Sequence, residues 1–424
     1  MDSDRYNPES RYAWFLVVVA SVIMGVGAGA LISISTFLKP IIADFGWLRS
    51  EVSFAYMSGA IAIGFGGIGM GYLSDRFSTR PVVIVGILCL GGSMLLLASQ
   101  TELWQFYLYY CLLGGFGVSA LDAPLLANVG NWFHRNKGLA LGLATAGRAL
   151  GQGLVPFVSG LLISDSGWRE AYTTLGFLSL VVLLPLAFFI RNPPGLQEAK
   201  EASRKVSASE QDEAYPVPPK LAVAWLSGSG LFCCTCMGTA MVHAVAIAQD
   251  TGIEANKAAG VILLIYISGF FGRIAFGKLS DHIGGIRSYW LASLGQTVLI
   301  FWFTQMQSLA GFYAHAIIFG FFMAGVMTGL IICVRELTPV HMRGMSNGIV
   351  VLLAWVGMGI GGYQAGFFFD FTGSYVIPYA NAAGAGAISL IIGGALYIYF
   401  RRKSAVLELS GCHDVVRPSL MIDA

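Results

Sequence analysis

The chain has 424 residues, of which 56% are hydrophobic and 11% charged, with a mean hydropathy of +0.71 and a formal net charge of +2. Such a composition exceeds what a soluble core needs and points to many membrane spans, and the lack of basic runs excludes a nucleic-acid binder.

The first residues, MDSDRYNPESR, are polar and partly acidic, and the apolar run behind them is too long for a signal-peptide core. They read as the approach to an uncleaved first span. Stretches able to cross about 30 Å of hydrocarbon as helices then follow at 12–38, 51–73, 81–99, 104–131, 138–163, 169–190, 221–249, 256–276, 286–307, 310–334, 345–368 and 374–400. They are continuous rather than alternating, which favours helices over a barrel. The segment 191–220 is charged and Pro-rich, as a linker between two six-helix bundles (1–190 and 221–400) would be, and 401–424 reads as a polar tail. With the N-terminus inside, Lys39, Arg49, Arg169 and Lys257 fall outside, Arg148 and Arg273 lie within the membrane, and the remaining Lys and Arg are cytoplasmic. The positive-inside rule thus places both termini in the cytoplasm.

The chain also repeats itself at a spacing of 206 residues. Gly71-Tyr72-Leu73-Ser74-Asp75-Arg76 returns as Gly277-Lys278-Leu279-Ser280-Asp281-His282, and Gly138, Gly142, Gly151, Gly153 and Gly160 return as Gly344, Gly348, Gly357, Gly359 and Gly366. Two copies of one six-helix unit are the simplest cause, and such paired halves are how many membrane carriers are built. Of seven cysteines, six lie inside spans, and Cys233-Cys234-Thr235-Cys236 lacks the paired spacing of a metal site. Neither a metal nor a cofactor is expected.

Gly71 to Arg80 joins the second and third spans and resembles the signature Gly-x-Leu-x-Asp-Arg-x-Gly-Arg-Arg/Lys of the major facilitator superfamily, with Ser78 and Thr79 in place of its Gly and Arg. The fold this implies is an all-α membrane protein, twelve helices in two pseudo-symmetric bundles. By resemblance, Gly71, Asp75, Arg76, Arg80, Gly277 and Asp281 serve the conformational switch; the plainer reading is that they hold a tight turn. Trp132-Phe133-His134-Arg135-Asn136-Lys137-Gly138-Leu139-Ala140-Leu141-Gly142-Leu143-Ala144-Thr145-Ala146-Gly147 is similar to the motif with which monocarboxylate transporters enter span five. The chain is therefore read as a prokaryotic relative of the monocarboxylate and oxalate–formate carriers, working as a monomer in the bacterial inner membrane.

Charges buried in lipid are costly enough to need a reason. Arg273 occupies the span-eight position at which those carriers keep the arginine that binds the substrate carboxylate, and a planar guanidinium suits that task; snorkelling to the interface is the alternative. Asp122 lies ~15 Å up span four from Trp132, and Arg148 ~18 Å up span five from Asn136, so the two can meet near mid-membrane. They read either as a structural ion pair or as a proton carrier beside a cation that greets the substrate. Where the family has an Asp one turn before Arg273 and a Lys in span one, this chain has Gly269 and Leu31 or Ile32. Asp122, and after it His243, are the substitutes for proton coupling, although a lone His is also an ordinary helix contact. Tyr363 and Tyr379, with Tyr56 and Trp355, are candidates to line the site.

The expectation is a carrier of a small monocarboxylate with a proton; a dicarboxylate or other organic-anion exchanger is the alternative, and a multidrug exporter a more distant one. No His-Glu-x-x-His, Gly-x-Ser-x-Gly or Walker-type loop occurs, so an enzyme is not expected.

Overall fold

The structure, a computed structural model, describes residues 10–133, 136–193, 217–339 and 342–409. The first nine residues, His134 and Arg135 of the span-five motif, most of the predicted linker (194–216) and the end of the tail, with Cys412, lie outside the described residues. Among the described residues the chain is helical, without strands. The crossing helices are α1 (Arg11–Phe45), α2 (Arg49–Phe77), α3 (Thr79–Ser99), α4 (Leu103–Trp132), α5 (Lys137–Ser166) and α6 (Trp168–Phe188), then α7 (Pro219–Asp250), α8 (Ala255–Ile283), α9 (Gly285–Ile300), α10 (Leu309–Leu337), α11 (Arg343–Thr372) and α12 (Val376–Leu409).

Eleven of them are long and apolar enough to span a membrane. The twelfth, α9, stands where 286–307 is expected to cross, as a 16-residue α-helix continued by the 3-10 turn Phe301–Gln305. A tight last turn satisfies carbonyls that an α-helical end leaves open. Polar ends also continue helices past the apolar run, as in α8, predicted to stop at 276 and observed to Ile283. At the other edge of the linker, Pro219 and Lys220 already belong to α7, where proline fits because the first turn has no use for its missing N–H. In α4 the helix widens to a π-turn over Leu113–Val118, just ahead of Asp122.

Helix α1 packs on α5 and α3 on α6, while α7 packs on α11 and α8 on α10. The two sets of six meet along α2 with α11 and α5 with α8. The repeated glycines explain how. A Cβ on Gly151 would lie 2.3 Å from the backbone of Gly25, and one on Gly357 would lie 2.1 Å from the carbonyl oxygen of Leu231, so both glycines permit close helix crossings within a set. Gly153 meets Leu263, and Gly359 meets Met57, across the two sets. Leu231 and Leu263 stand 206 residues after Gly25 and Met57, so the repeat makes equivalent contacts in both copies. Farther along the same helices, Gly71, Gly138, Gly142, Gly277, Gly344 and Gly348 have nothing within 4 Å of a built Cβ. The sets touch from the middle of the molecule to the end remote from the Gly71–Arg80 turn, and diverge towards that turn.

At the turn itself, Arg80 donates to the carbonyls of Phe188 and Ile190, tying α3 to the end of α6. Ser78, where the signature has glycine, takes φ +87 and ψ 154, and Gly284 takes φ +86 at the equivalent place in the second copy. Only glycine visits that region without strain. Ser78→Gly removes a strain of ~1–3 kcal/mol and forfeits the hydrogen bond that Ser78 Oγ accepts from Asn192. The expected net result is a rise in melting temperature of the purified protein; a fall on thermal unfolding would mean that the Asn192 contact outweighs the backbone.

Candidate functional site

Three ionisable side chains approach one another midway along the helices. Arg148 of α5 reaches Asp122 of α4 with its Nε 2.8 Å from the carboxylate Oδ1, the two side chains 16% and 26% exposed. The charges touch, yet the Nε–H is not aligned as a hydrogen-bond donor. The π-turn over Leu113–Val118 lies just ahead of Asp122, which stands one position before Ala123 and Pro124 and meets α5 through Arg148.

Arg273 of α8 comes from the other set of helices. Its Nη1 donates to the carbonyl oxygen of Thr145 on α5 at 2.9 Å, one turn from Arg148, and its buried Nε has no hydrogen-bond partner. Among the described residues it has no carboxylate partner. Gly272 beside it lies against the backbone of Phe321, which fixes α8 closely on α10 and sends the arginine to the opposite side, towards α5. Arg148, Asp122 and Tyr266 all act electrostatically on Arg273, and Arg148 and Tyr266 act likewise on Tyr56. The hydroxyls of Tyr56 and Tyr266 and the Oε1 of Gln152 are buried without partners. The centre of the molecule therefore holds two guanidinium groups, one carboxylate and three unsatisfied neutral polar groups, an arrangement suited to a small polar anion.

The other sequence-predicted residues lie elsewhere. Tyr363 packs edge-on against Phe54 at 5.7 Å, and Tyr379 is buried beside Phe303 and Tyr375; neither is among the groups acting on Arg273. Trp355 is nearly buried on α11. Gly71, Asp75, Arg76, Gly277 and Asp281 sit at the divergent end, where Asp75, Arg76 and Asp281 are exposed.

His243 belongs to a second assembly, at the end where the sets close. Its Nε2 donates to the carbonyl oxygen of Gly362 at 2.9 Å, which leaves Nδ1 to accept from the Tyr375 hydroxyl at 2.9 Å. That hydroxyl accepts from Arg49 Nη1 at 2.6 Å. Arg49 also binds Asp250 at 2.7 Å and lies 3.6 Å over the ring of Phe369, while Lys39 binds Asp250 at 2.8 Å and Asp370 accepts from the backbone N–H groups of Arg49 and Ser50. Every one of these Arg49 and Lys39 contacts joins the first six helices to the last six. In the sequence Lys39 and Arg49 bear only on orientation. Their signal was opposite charge at one end of the spans, Asp250 and Asp370 against Lys39 and Arg49.

The family model described as the Major Facilitator Superfamily matches residues 17–304. The chain is 27% identical to the MFS-type transporter YcxA of Bacillus subtilis, over 94% of this chain and 95% of that one. It is 26% identical to monocarboxylate transporter 13 of Rattus norvegicus (92% and 89% covered) and 24% identical to the aspyridones efflux protein apdF of Emericella nidulans (75% and 60%). Among solved structures, the partially occluded inward-open xylose transporter XylE from E. coli superposes with a TM-score of 0.71 at 13% identity, covering 90% of this chain and 98% of that one. A multi-pass helical fold and a match over most of the length agree that the chain belongs to the major facilitator superfamily of membrane transporters.

Proposed function

We propose that this transporter is a secondary carrier of small monocarboxylates of the lactate and pyruvate kind, coupled to protons and working by alternating access. The observation that carries the reading is the inequality of the two central arginines: Arg148 is neutralised by Asp122 at 2.8 Å, whereas Arg273 has only a carbonyl oxygen. An unpaired guanidinium at that depth is costly. One carboxylate, held by both oxygens on its planar fork, brings the three charges to neutrality. A dicarboxylate leaves an excess negative charge unless Asp122 is protonated. In coupled transport a proton taken up at Asp122 would free Arg148 to face the anion as well, so that proton and anion load together and the loaded site keeps the net charge of +1 that the empty site has. Both termini would then be cytoplasmic, in a bacterial inner membrane, with the cleft open to the cytoplasm. A second reading, export or exchange of a larger organic anion, draws on the likeness to the efflux protein apdF; it would use the same site with the flow reversed.

The test is uptake of radiolabelled lactate into proteoliposomes under an inward proton gradient, with acetate, pyruvate, benzoate, oxalate and succinate as competitors. Acid-driven uptake blocked by monocarboxylates alone supports the proposal. Indifference to lactate with brisk exchange of a dicarboxylate overturns it in favour of the oxalate-type reading. In Asp122→Asn the acceleration by the imposed gradient should vanish while exchange of internal for external lactate persists; a preserved acceleration removes Asp122 as the proton carrier.

A further inference from the structure

The polar groups around the arginines say more than that an anion binds. Tyr56 on α2, Tyr266 on α8 and Gln152 on α5 are 0%, 2% and 4% exposed, and the two phenol hydroxyls and the Gln152 Oε1 find no partner. Other buried tyrosines do: Tyr110 and Tyr172 bond each other, Tyr289 bonds Ser229, and Tyr375 bonds Arg49 and His243. Tyr379 shares the lack of a partner but sits in the aromatic cluster with Phe303 and Tyr375. Tyr56, by contrast, feels Tyr266 and Arg148, and Tyr266 feels Arg273 and Arg148. Gln152 follows Arg148 by four residues, on the same helix face, and a Cβ built on the next residue, Gly153, would lie 3.0 Å from the Cβ of Tyr266. Buried polar groups are normally satisfied, and a cluster left open beside a binding cation calls for a ligand that satisfies it.

Resting on the carboxylate reading above, we infer that Tyr56, Tyr266 and Gln152 form a second pole of the site that selects a hydroxyl on the carbon next to the substrate carboxylate. A hydroxyl donates and accepts at once, so it can give its proton to Gln152 Oε1 while taking a hydrogen bond from a tyrosine. A keto oxygen only accepts, and a methylene does neither. The adjacent carbon is the right place because it is one bond from the group that the arginines hold, and the tyrosines are the neutral polar groups that those arginines feel. The order of preference is then 2-hydroxy acid over 2-oxo acid over unsubstituted acid.

The experiment compares dissociation constants of 2-hydroxypropionate, 2-oxopropionate and propionate for the purified protein, from ligand-induced thermal stabilisation. The hydroxy acid should bind on the order of tenfold or more tightly than propionate, because a site built for a hydroxyl leaves its polar groups unpaired against the analogue. The readout is the ratio of the two constants, which should fall towards one in Tyr266→Phe and in Gln152→Leu. Phenylalanine keeps the Cβ that lies against Gly153, and Tyr56→Phe supplies an independent variant should one fail to fold. A ratio near one in the parent, or a ratio unchanged in these variants, overturns the inference and leaves the carboxylate reading standing. If none of the three acids stabilises the protein, the carboxylate reading fails and the inference with it.

Discussion

Arg273→Lys, delivered to the membrane at the parent's level, is expected to slow carboxylate uptake by on the order of ten- to a hundredfold, the loss appearing first in apparent affinity. The charge survives in this variant, so a role limited to attracting an anion would leave uptake nearly intact. What is lost is the fork. In the structure one arm of Arg273, Nη1, is already held by the Thr145 carbonyl at 2.9 Å, which orients the plane of the guanidinium from the opposite half of the molecule. An ammonium cannot both keep that hold and present two parallel donors to a carboxylate. A charge-assisted hydrogen bond is worth ~1.5–3 kcal/mol, and each 1.4 kcal/mol is tenfold in an equilibrium constant, which sets the range expected. Arg273→Gln should be worse, since it removes the charge that the substrate neutralises. Uptake by Arg273→Lys equal to the parent's would return Arg273 to the snorkelling reading, with its hydrocarbon stem supporting α8 and its head serving no ligand.

Much of this site can be read from the sequence because lipid makes charge conspicuous. Asp122, Arg148 and Arg273 stand out in apolar spans, and helix rise alone puts Asp122 and Arg148 at similar depth. That arithmetic permits a contact, and the structure makes it at 2.8 Å. The repeat was legible for a related reason: Gly151, Gly153, Gly357 and Gly359 sit where helices cross too closely for a side chain, so the offset of 206 records real contacts. Neutral polar groups leave no such mark. Tyr266 and Gln152 look like ordinary membrane-helix residues until the structure shows their polar atoms buried and unpartnered. Tyr363 and Tyr379 carry the same aromatic signal, yet face Phe54 and Phe303 instead, because one-dimensional spacing does not say which face of α11 or α12 meets the cleft. His243 was legible as a buried titratable group but not as to place: its partners, Tyr375 and Gly362, lie 132 and 119 residues further along the same half, and spacing along one helix does not say which distant helix it faces.

The closed end should open in Arg49→Ala. Arg49 is the one side chain there that joins an ion pair to Asp250, a hydrogen bond to Tyr375 and a stacking contact on Phe369, all across the line between the two sets of helices. Ion pairs that retain solvent contact contribute ~0.2–1 kcal/mol each, and a cation over an aromatic ring adds ~0.5–1 kcal/mol. Together with the hydrogen bond this amounts to ~1–3 kcal/mol favouring closure, enough to move the balance between the two conformations by about ten- to a hundredfold. Asp370 would still accept from the backbone N–H groups of residues 49 and 50, so the variant loosens the closure without removing it. Ser53, buried under the latch and touching His243, is the place to watch. With Ser53→Cys in a chain freed of its native cysteines, a membrane-impermeant maleimide added from that side should label the Arg49→Ala protein several times faster than the parent. Restoring the charge as Arg49→Lys should recover the pairing with Asp250 but not the stacking, and give an intermediate rate. Equal labelling in all three would mean that the helices close on packing alone, through contacts such as Gly366 against Arg49's backbone, and that the charges merely decorate the seam. The latch has a chemical edge as well. Tyr375 already accepts from Arg49 while donating to His243 Nδ1, so a proton arriving on Nδ1 would set two donors against one hydroxyl and weaken the same closure.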